Sequence, residues 1–597
     1  MDNRTEGFNG PESSGPLSSV IDFHQSAVKR HSSYIMPRTS FLLRHSSTVL
    51  SKLSSLITHT FFALFLFSAV VSAQTKLGLP NYRIFPSSVT QTEVVAVVHP
   101  TEPNTVFASA NAISFQPQFF VSEGVYTTTD GGTTFFGSDT CSGGPSIAFH
   151  GGDPGIAIDK NGTFIMTRNG KIPLYGLYSH RSTDQGRTWS NAKTITTVEL
   201  ERAWLGADNS PASAYYGRVY AAWVRYSPPF PTVFSYTDDG GQNWSEVKQI
   251  NSPVDRNYGG SIATGKDGTV YLTWAAVAPA SPFTEKYTGF AKSTNGGLTW
   301  LVTENAFITN GIQGVLANKQ NIRVNSNPQL VIDYTGGPRN GWLYVITTQK
   351  NTAVAGSDPD IILNRSTDGG ATWSAGIRVN QDPLNNGKTQ YFPAVVVDDF
   401  GGLNVIYYDD RATTSDSAGV LLARSIDGGN TWTEFEISDM NFKPSPIGGL
   451  GQGYQGDNIS IVYRDNTLHP MWMDNTNGIY QIRSVKIPLS MVGVEPETPA
   501  VTPVAFSLGP AWPNPFSTGS LSGSSTTTVN VDLPASGELK LSLFDSRGSL
   551  VREVFSGARS AGTHEFTIDG RDLASGVYLL QAIHSGKRAV QKLVVVK

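Results

Sequence analysis

Three observations predict an all-β fold, a seven-bladed (alternatively six-bladed) β-propeller followed by a small Ig-like β-sandwich. An eight-residue turn pattern recurs six times through the middle of the chain, pairs of apolar strand-like runs alternate with it, and a proline-rich stretch separates this region from a tail of short alternating segments. Composition agrees. Of 597 residues only 15% are charged, and 60 Gly and 34 Pro favour a turn-rich β protein over long helices. The net charge of −4, with no block of like charges, leaves no electrostatic footprint for nucleic acid or an anionic membrane. The single cysteine, Cys141, excludes an intramolecular disulfide framework, a cysteine-based zinc site and a CxxC redox pair.

Residues 1–73 read as an N-terminal extension and signal peptide. Arg38, Arg44 and Lys52 precede the apolar run Phe61 to Val71, which ends in Val71-Ser72-Ala73 before Gln74. An apolar run of eleven residues, Ser68 included, falls short of the ~20 needed to span hydrocarbon, so no stable transmembrane span is expected. The basic residues lie far from Met1, whereas Met36 would place them at the usual distance. Residues 1–35 are therefore either an extension or a mis-assigned start.

The propeller is expected over residues 74–490. The turn pattern S/T-x-D-x-G-x-T-W stands at residues 128–135, 182–189, 237–244, 293–300, 366–373 and 425–432. Its third positions are Asp130, Asp184, Asp239, Asn295, Asp368 and Asp427, spaced by 54, 55, 56, 73 and 59 residues, longer than the ~40–45 of a WD40 blade. Within such a turn a carboxylate accepts neighbouring N–H groups, glycine takes up positive φ, and the final aromatic covers one side, so the pattern is structural. A strand pair precedes every box, beginning with Val94 to Ala108, and a seventh pair, Asn458 to Trp472, follows the last. Seven pairs give seven blades, with the segment near Tyr82 to Val89 supplying the missing outer strand of the last. Six blades return if the first pair is a peripheral hairpin.

The six boxes resemble the Asp-boxes, or bacterial neuraminidase repeats, of the sialidase superfamily. That resemblance implies a propeller; members with catalytic activity hold an acidic sugar with arginines and use a tyrosine–glutamate pair. Tyr82-Arg83-Ile84-Phe85-Pro86 departs by one residue from the family's Arg-Ile-Pro motif, so Arg83 is not carried over as a substrate arginine. The family's nucleophilic tyrosine has no unique counterpart here.

Residues 491–504, containing Glu495-Pro496-Glu497-Thr498-Pro499, read as a stiff linker. Residues 505–597 then alternate as six strands, from Val529 to Leu533 through Lys592 to Val596, with a hairpin turn at Asp545-Ser546-Arg547-Gly548. The Pro513-Asn514-Pro515-Phe516 motif, the Leu543 to Gly548 turn, Leu573 to Leu580 and the terminal Lys592 to Lys597 together resemble the C-terminal sorting domain of the type IX secretion system of Bacteroidetes-like bacteria. The resemblance implies that residues 505–597 engage that machinery, and that the protein is secreted or anchored at the outer cell surface.

In a four-stranded blade the turns joining strands one to two and three to four share a face. The boxes occupy the latter, so ligand chemistry is expected on the opposite face. Loops there offer Glu201, Tyr408, Asp409 and Asp457 as catalytic candidates, and Arg202, Trp204, Arg225, Arg256, Tyr391, Arg411 and Tyr454 as ligand-binding ones. Arginines grip carboxylates bidentately, and paired acids or an acid-activated tyrosine serve glycoside cleavage. The blander reading is that these residues solvate loops, pair locally or plug the channel. No cofactor or metal is indicated; the acids at Asp409, Asp410 and Asp416 suit a solvated loop as well as a calcium site. The expected function is binding of a glycan or protein ligand on this face, with an exo-glycosidase of sialidase type as the alternative.

Overall fold

In the computed structural model, the described residues are 75–116, 119–140, 150–171, 173–493, 505–517, 525–559 and 561–596. The expected signal peptide, Cys141 and residues 494–504 of the expected linker lie outside them.

Seven antiparallel sheets, each of four or more strands, form the blades, and the six-bladed alternative is not realised. Their inner strands are Thr90–Val98, His150–Ile158, Trp204–Ala207, Arg256–Thr264, Gln329–Ile332, Gln390–Val397 and Ser460–Arg464. Each inner strand lies beside the next, and the last lies beside the first, so the ring is closed. The Val94 to Ala108 pair belongs to blade 1 and is not a peripheral hairpin. Closure occurs where the sequence placed it: Tyr82–Arg83 pairs antiparallel with Gln481–Ser484 as the outer strand of blade 7. Thr75–Lys76 adds a fifth, parallel strand to the rim of blade 6. Apolar residues of blades 7 and 1, including Val462, Met471, Val94 and Tyr126, share one core cluster across the seam.

The boxes form the predicted turns. In the first, Asp130 Oδ1 accepts from the Thr128 hydroxyl at 2.8 Å and the Thr134 N–H at 2.9 Å, while Oδ2 accepts from the Thr134 hydroxyl at 2.6 Å. Asn295 keeps the same geometry with one bond reversed: its Oδ1 accepts from the Thr299 N–H at 2.9 Å, and its Nδ2 donates to the Thr299 hydroxyl at 2.8 Å. The tryptophans reach further than the turn. Trp300 meets Phe234 of the preceding blade edge-on at 5.0 Å, and Trp373 meets Phe290 at 5.3 Å. Gly370, at φ +87°, presses so close to Phe290 that a Cβ would lie 2.2 Å from its ring. Each of these boxes is therefore a clamp between blades as well as a turn.

The tail forms two packed sheets. One contains Ser507–Leu508, Thr526–Leu533 and Gly562–Asp569; the other contains Phe516–Ser517, Lys587–Val596, Gly576–His584, Gly537–Asp545 and Leu550–Arg559. Inward residues such as Val531, Leu541, Leu580 and Leu593 fill the space between them, as alternation along the strands requires.

The box carboxylates supply an acid-stability signature. Burial raises Asp130 and Asp427, but hydrogen bonds from their threonine hydroxyls and backbone N–H groups outweigh it and hold both at about 2. A folded-state value below the ordinary 3.8 stabilises the fold above about pH 4, and that contribution is lost as pH falls toward 2. Urea midpoints measured between pH 5 and pH 2 are expected to fall mainly below pH 4, and Asp130→Asn with Asp427→Asn should flatten that slope.

Candidate functional site

On the face opposite the boxes, the loops leading into the inner strands and those joining second to third strands surround a cavity of about 430 Å³. Blade 1 contributes Glu93, blade 2 Asp153, blade 3 Glu201, Arg202, Trp204 and Tyr226, blade 4 Arg256, Tyr258 and Phe283, and the loop before blade 7 Gln452, Tyr454, Asp457 and Asn458. Of the residues singled out from sequence, Glu201, Arg202, Trp204, Arg256, Tyr454 and Asp457 are thus brought together.

The others are not. Tyr391 and Tyr408 are fully buried, stacked at 5.1 Å between ring centres, and the Tyr408 hydroxyl donates to the Met473 carbonyl at 2.7 Å. They are core residues, with neither ligand-binding nor catalytic reach. Arg411 is saturated by Asp409 at 2.8 Å and Glu434 at 2.6 Å, out on blade 6. Asp409 is accordingly a structural partner; burial, opposed by Arg411, pushes it up to about 6. Arg225 donates to Gln249 at 3.0 Å and does not border the cavity.

The reason for this one-sidedness is an insertion between blades 4 and 5. Strands Gly314–Leu316 and Ile322–Val324 form a hairpin that crosses the mouth toward blades 6 and 7. Its two legs are tied at the base by Glu285, whose carboxylate accepts the Gln313 N–H at 3.1 Å and the Ser326 N–H at 2.7 Å. Its tip is anchored by Lys319 on Asp410 at 2.5 Å, both side chains completely buried. Ile322 and Val324 join the core cluster that holds Tyr391 and Tyr408. Beside it, the Arg323 N–H donates to the Gly453 carbonyl at 2.8 Å. Gly453, at φ +71°, has Asn321 O 2.2 Å from where a Cβ would stand, so the approach requires glycine. Among the described residues, none of blade 6 borders the cavity, because the hairpin covers that side.

The hairpin also delivers Arg323, which the sequence reading missed. Its guanidinium lies 3.1 Å from Asp457 and 5.2 Å from the Tyr454 ring centre. Arg202 donates to Glu93 at 2.7 Å and lies 4.0 Å from Asp153. Arg256 has no carboxylate within ion-pair distance among the described residues; it sits among Tyr226, Phe230 and Phe283 at 5.0, 4.7 and 5.0 Å. The Nε atoms of Arg202 and Arg256 and the Trp204 indole N–H have no hydrogen-bond partner among the described residues.

Four carboxyls facing three arginines cannot all ionise cheaply when buried. Burial, then the charges of Asp153 and Asp457, pushes Glu201 up to about 7. Burial and Asp457 push Glu93 well above the usual carboxylate range, with Arg202 offsetting only part. Burial and Glu201 raise the phenols of Tyr226 and Tyr258. The cavity therefore holds proton donors near neutral pH, unpartnered N–H groups and flat aromatic walls.

The comparisons bear on the two folded parts separately. The family described as the FlgD Ig-like domain matches residues 517–585. No curated protein matches the chain. Among solved structures, the chain is similar to a protein of unknown function from Dyadobacter fermentans, at 14% identity over 68% of this chain and 97% of that one, TM-score 0.39. A polysaccharide lyase of family PL25, an ulvan lyase, matches at 12% identity over 70% and 100%, TM-score 0.40. A leech intramolecular trans-sialidase matches at 12% identity over 61% and 70%, TM-score 0.38.

The anchoring pair at the hairpin tip is testable by substitution. Lys319→Ala leaves the buried Asp410 carboxylate without its counter-charge and is expected to cost about 3–5 kcal/mol. Val315→Ser, on the exposed part of the same hairpin, should change stability by less than about 0.5 kcal/mol. Paired denaturant titrations read both values.

Proposed function

We propose that the protein is an exported, surface-displayed propeller that binds a glycan in this cavity. One observation carries the reading: a concave site of about 430 Å³ combines aromatic walls, Trp204 among them, with carboxyls and with N–H donors of Arg202, Trp204 and Arg256 that have no partner among the described residues. Sugars are bound by that combination, with C–H faces on aromatic rings and hydroxyls on fixed polar groups. The charge arrangement favours a neutral or amine-bearing sugar over an acidic one. Arg202 and Arg323 already face Glu93 and Asp457, which leaves Arg256 as the arginine of this cavity with no carboxylate partner among the described residues.

A second reading, glycoside cleavage, is favoured by a specific feature. Glu201 is held at about 7 beside Tyr226 in the same cavity, the condition of a carboxylic acid able to donate a proton at neutral pH. The sialidase version of this chemistry needs arginines free to grip a carboxylate, and the ion pairs of Arg202 and Arg323 weigh against it.

Export rests on the two ends of the sequence. The order of basic, apolar and small residues up to Ala73 supports signal cleavage, and the tail motifs from Pro513-Asn514-Pro515-Phe516 to the C-terminus support sorting by the type IX machinery.

The binding claim is tested by screening the purified protein on a glycan array, with hydrolysis of fluorogenic neutral glycosides and of a sialoside run alongside. Array binding should fall at least about tenfold for Trp204→Ala, on the scale of losing an aromatic wall. Where the Glu201 proton is used, binding or turnover should decline as pH rises through 7, and Glu201→Gln should remove that dependence. Absence of both binding and turnover across the panel rejects the reading. For export, the mature N-terminus recovered from a secreting host is expected at Gln74, and surface proteolysis of intact cells should release the propeller; a cytosolic, uncleaved protein would reject it.

A further inference from the structure

A second compartment adjoins the main cavity and differs from it in chemistry. It is a shallow, open depression of about 240 Å³, and Asp153, Arg323 and Tyr454 border both. Its remaining surface is mainly aliphatic, supplied by Ile113, Val121 and Leu450. Just outside, Phe115 lies against Gly449, next to Leu450, and its ring centre is 5.6 Å from that of Phe119. These two phenylalanines are 36% and 49% exposed. Together with the aliphatic lining they give this side of the site an apolar rim. The three shared residues make the two spaces neighbours, so a molecule seated in the main cavity has the aliphatic compartment directly beyond Asp153, Arg323 and Tyr454.

We propose that this compartment is an aglycone subsite, taking the apolar end of a glycoside whose sugar occupies the main cavity. The apolar end is an aryl group or the methyl-bearing face of a 6-deoxy sugar; both present the same surface to Val121 and Leu450. The inference rests on the glycan reading above and adds what lies beyond the bound sugar. Asp153 then stands at the junction, beside the linkage between sugar and aglycone.

The experiment uses the full chain and calorimetric affinities for matched methyl, phenyl and 4-nitrophenyl glycosides of each sugar that binds, together with disaccharides carrying that sugar on a 6-deoxyhexose. An aryl or 6-deoxy aglycone is expected to tighten binding about tenfold over the methyl glycoside, the scale of partly burying an apolar ring. A gain confined to one of the two series assigns the natural source. Leu450→Ser and Val121→Ser should each remove the gain while leaving the methyl glycoside within about twofold, a comparison internal to each variant and so independent of its stability. Equal affinities across aglycones overturn the subsite, and so does a gain that survives both substitutions. Binding of no glycoside at all overturns the glycan reading, and the subsite with it.

Discussion

The contact on which the propeller depends is the one made by boxes such as those ending in Trp300 and Trp373 with the blade before them. A hydroxyl, a carboxylate and two backbone N–H groups close the turn locally, which costs little chain entropy because all partners lie within about four residues. The same turn then presents a tryptophan and a glycine to the neighbouring blade, as Trp373 and Gly370 do to Phe290. Local order and inter-blade packing are thereby fixed by one element. That is why Asn295 substitutes for aspartate without disturbing its blade: the turn needs an acceptor at Oδ1 and a partner for the Thr299 hydroxyl, and an amide meets both needs.

A scaffold made from repeats positions its site by departing from the repeat. The residues that build the cavity stand in loops the boxes do not govern, and the largest departure is the hairpin between blades 4 and 5. Its anchors are of different kinds: Glu285 at the base, Lys319 with Asp410 at the tip, and Ile322 with Val324 in the core. Burial of an ion pair adds little net stability compared with apolar packing, yet it penalises any other placement of the tip. The hairpin therefore fixes the position of Arg323, and with it the wall shared by the polar cavity and the aliphatic compartment.

What the sequence revealed follows the same division. Blades, boxes and ring closure were legible because each is written in short-range patterns that repeat. Glu201, Arg202, Trp204, Arg256, Tyr454 and Asp457 were legible because they stand just ahead of, or at the start of, recognisable inner strands. Tyr391 carries the same local signal and Tyr408 stands near the end of the next strand, but both are covered by the crossing hairpin, which makes them core. Arg411 was misplaced because its partner Glu434 comes from the outer strand of its own blade, 23 residues on, and no local pattern pairs the two. Arg323 was missed for the complementary reason: it lies on a segment with no counterpart in other blades. The one trace of that segment was the spacing of 73 residues where its neighbours are 54 to 59.

Ring closure has a consequence for how the molecule is made. The strand that completes blade 7, Tyr82–Arg83, lies at the beginning of the propeller sequence, and the strand it joins, Gln481–Ser484, lies about 400 residues later. Six blades can assemble in the order in which they are synthesised, each resting on its predecessor. The seventh cannot, since half of its edge has waited from the start. Closure is thus the contact of longest sequence separation in the ring and belongs late in folding, because such contacts are the slowest to be reached. Until then blade 7 ends in an unpaired strand, a surface open to pairing with other chains.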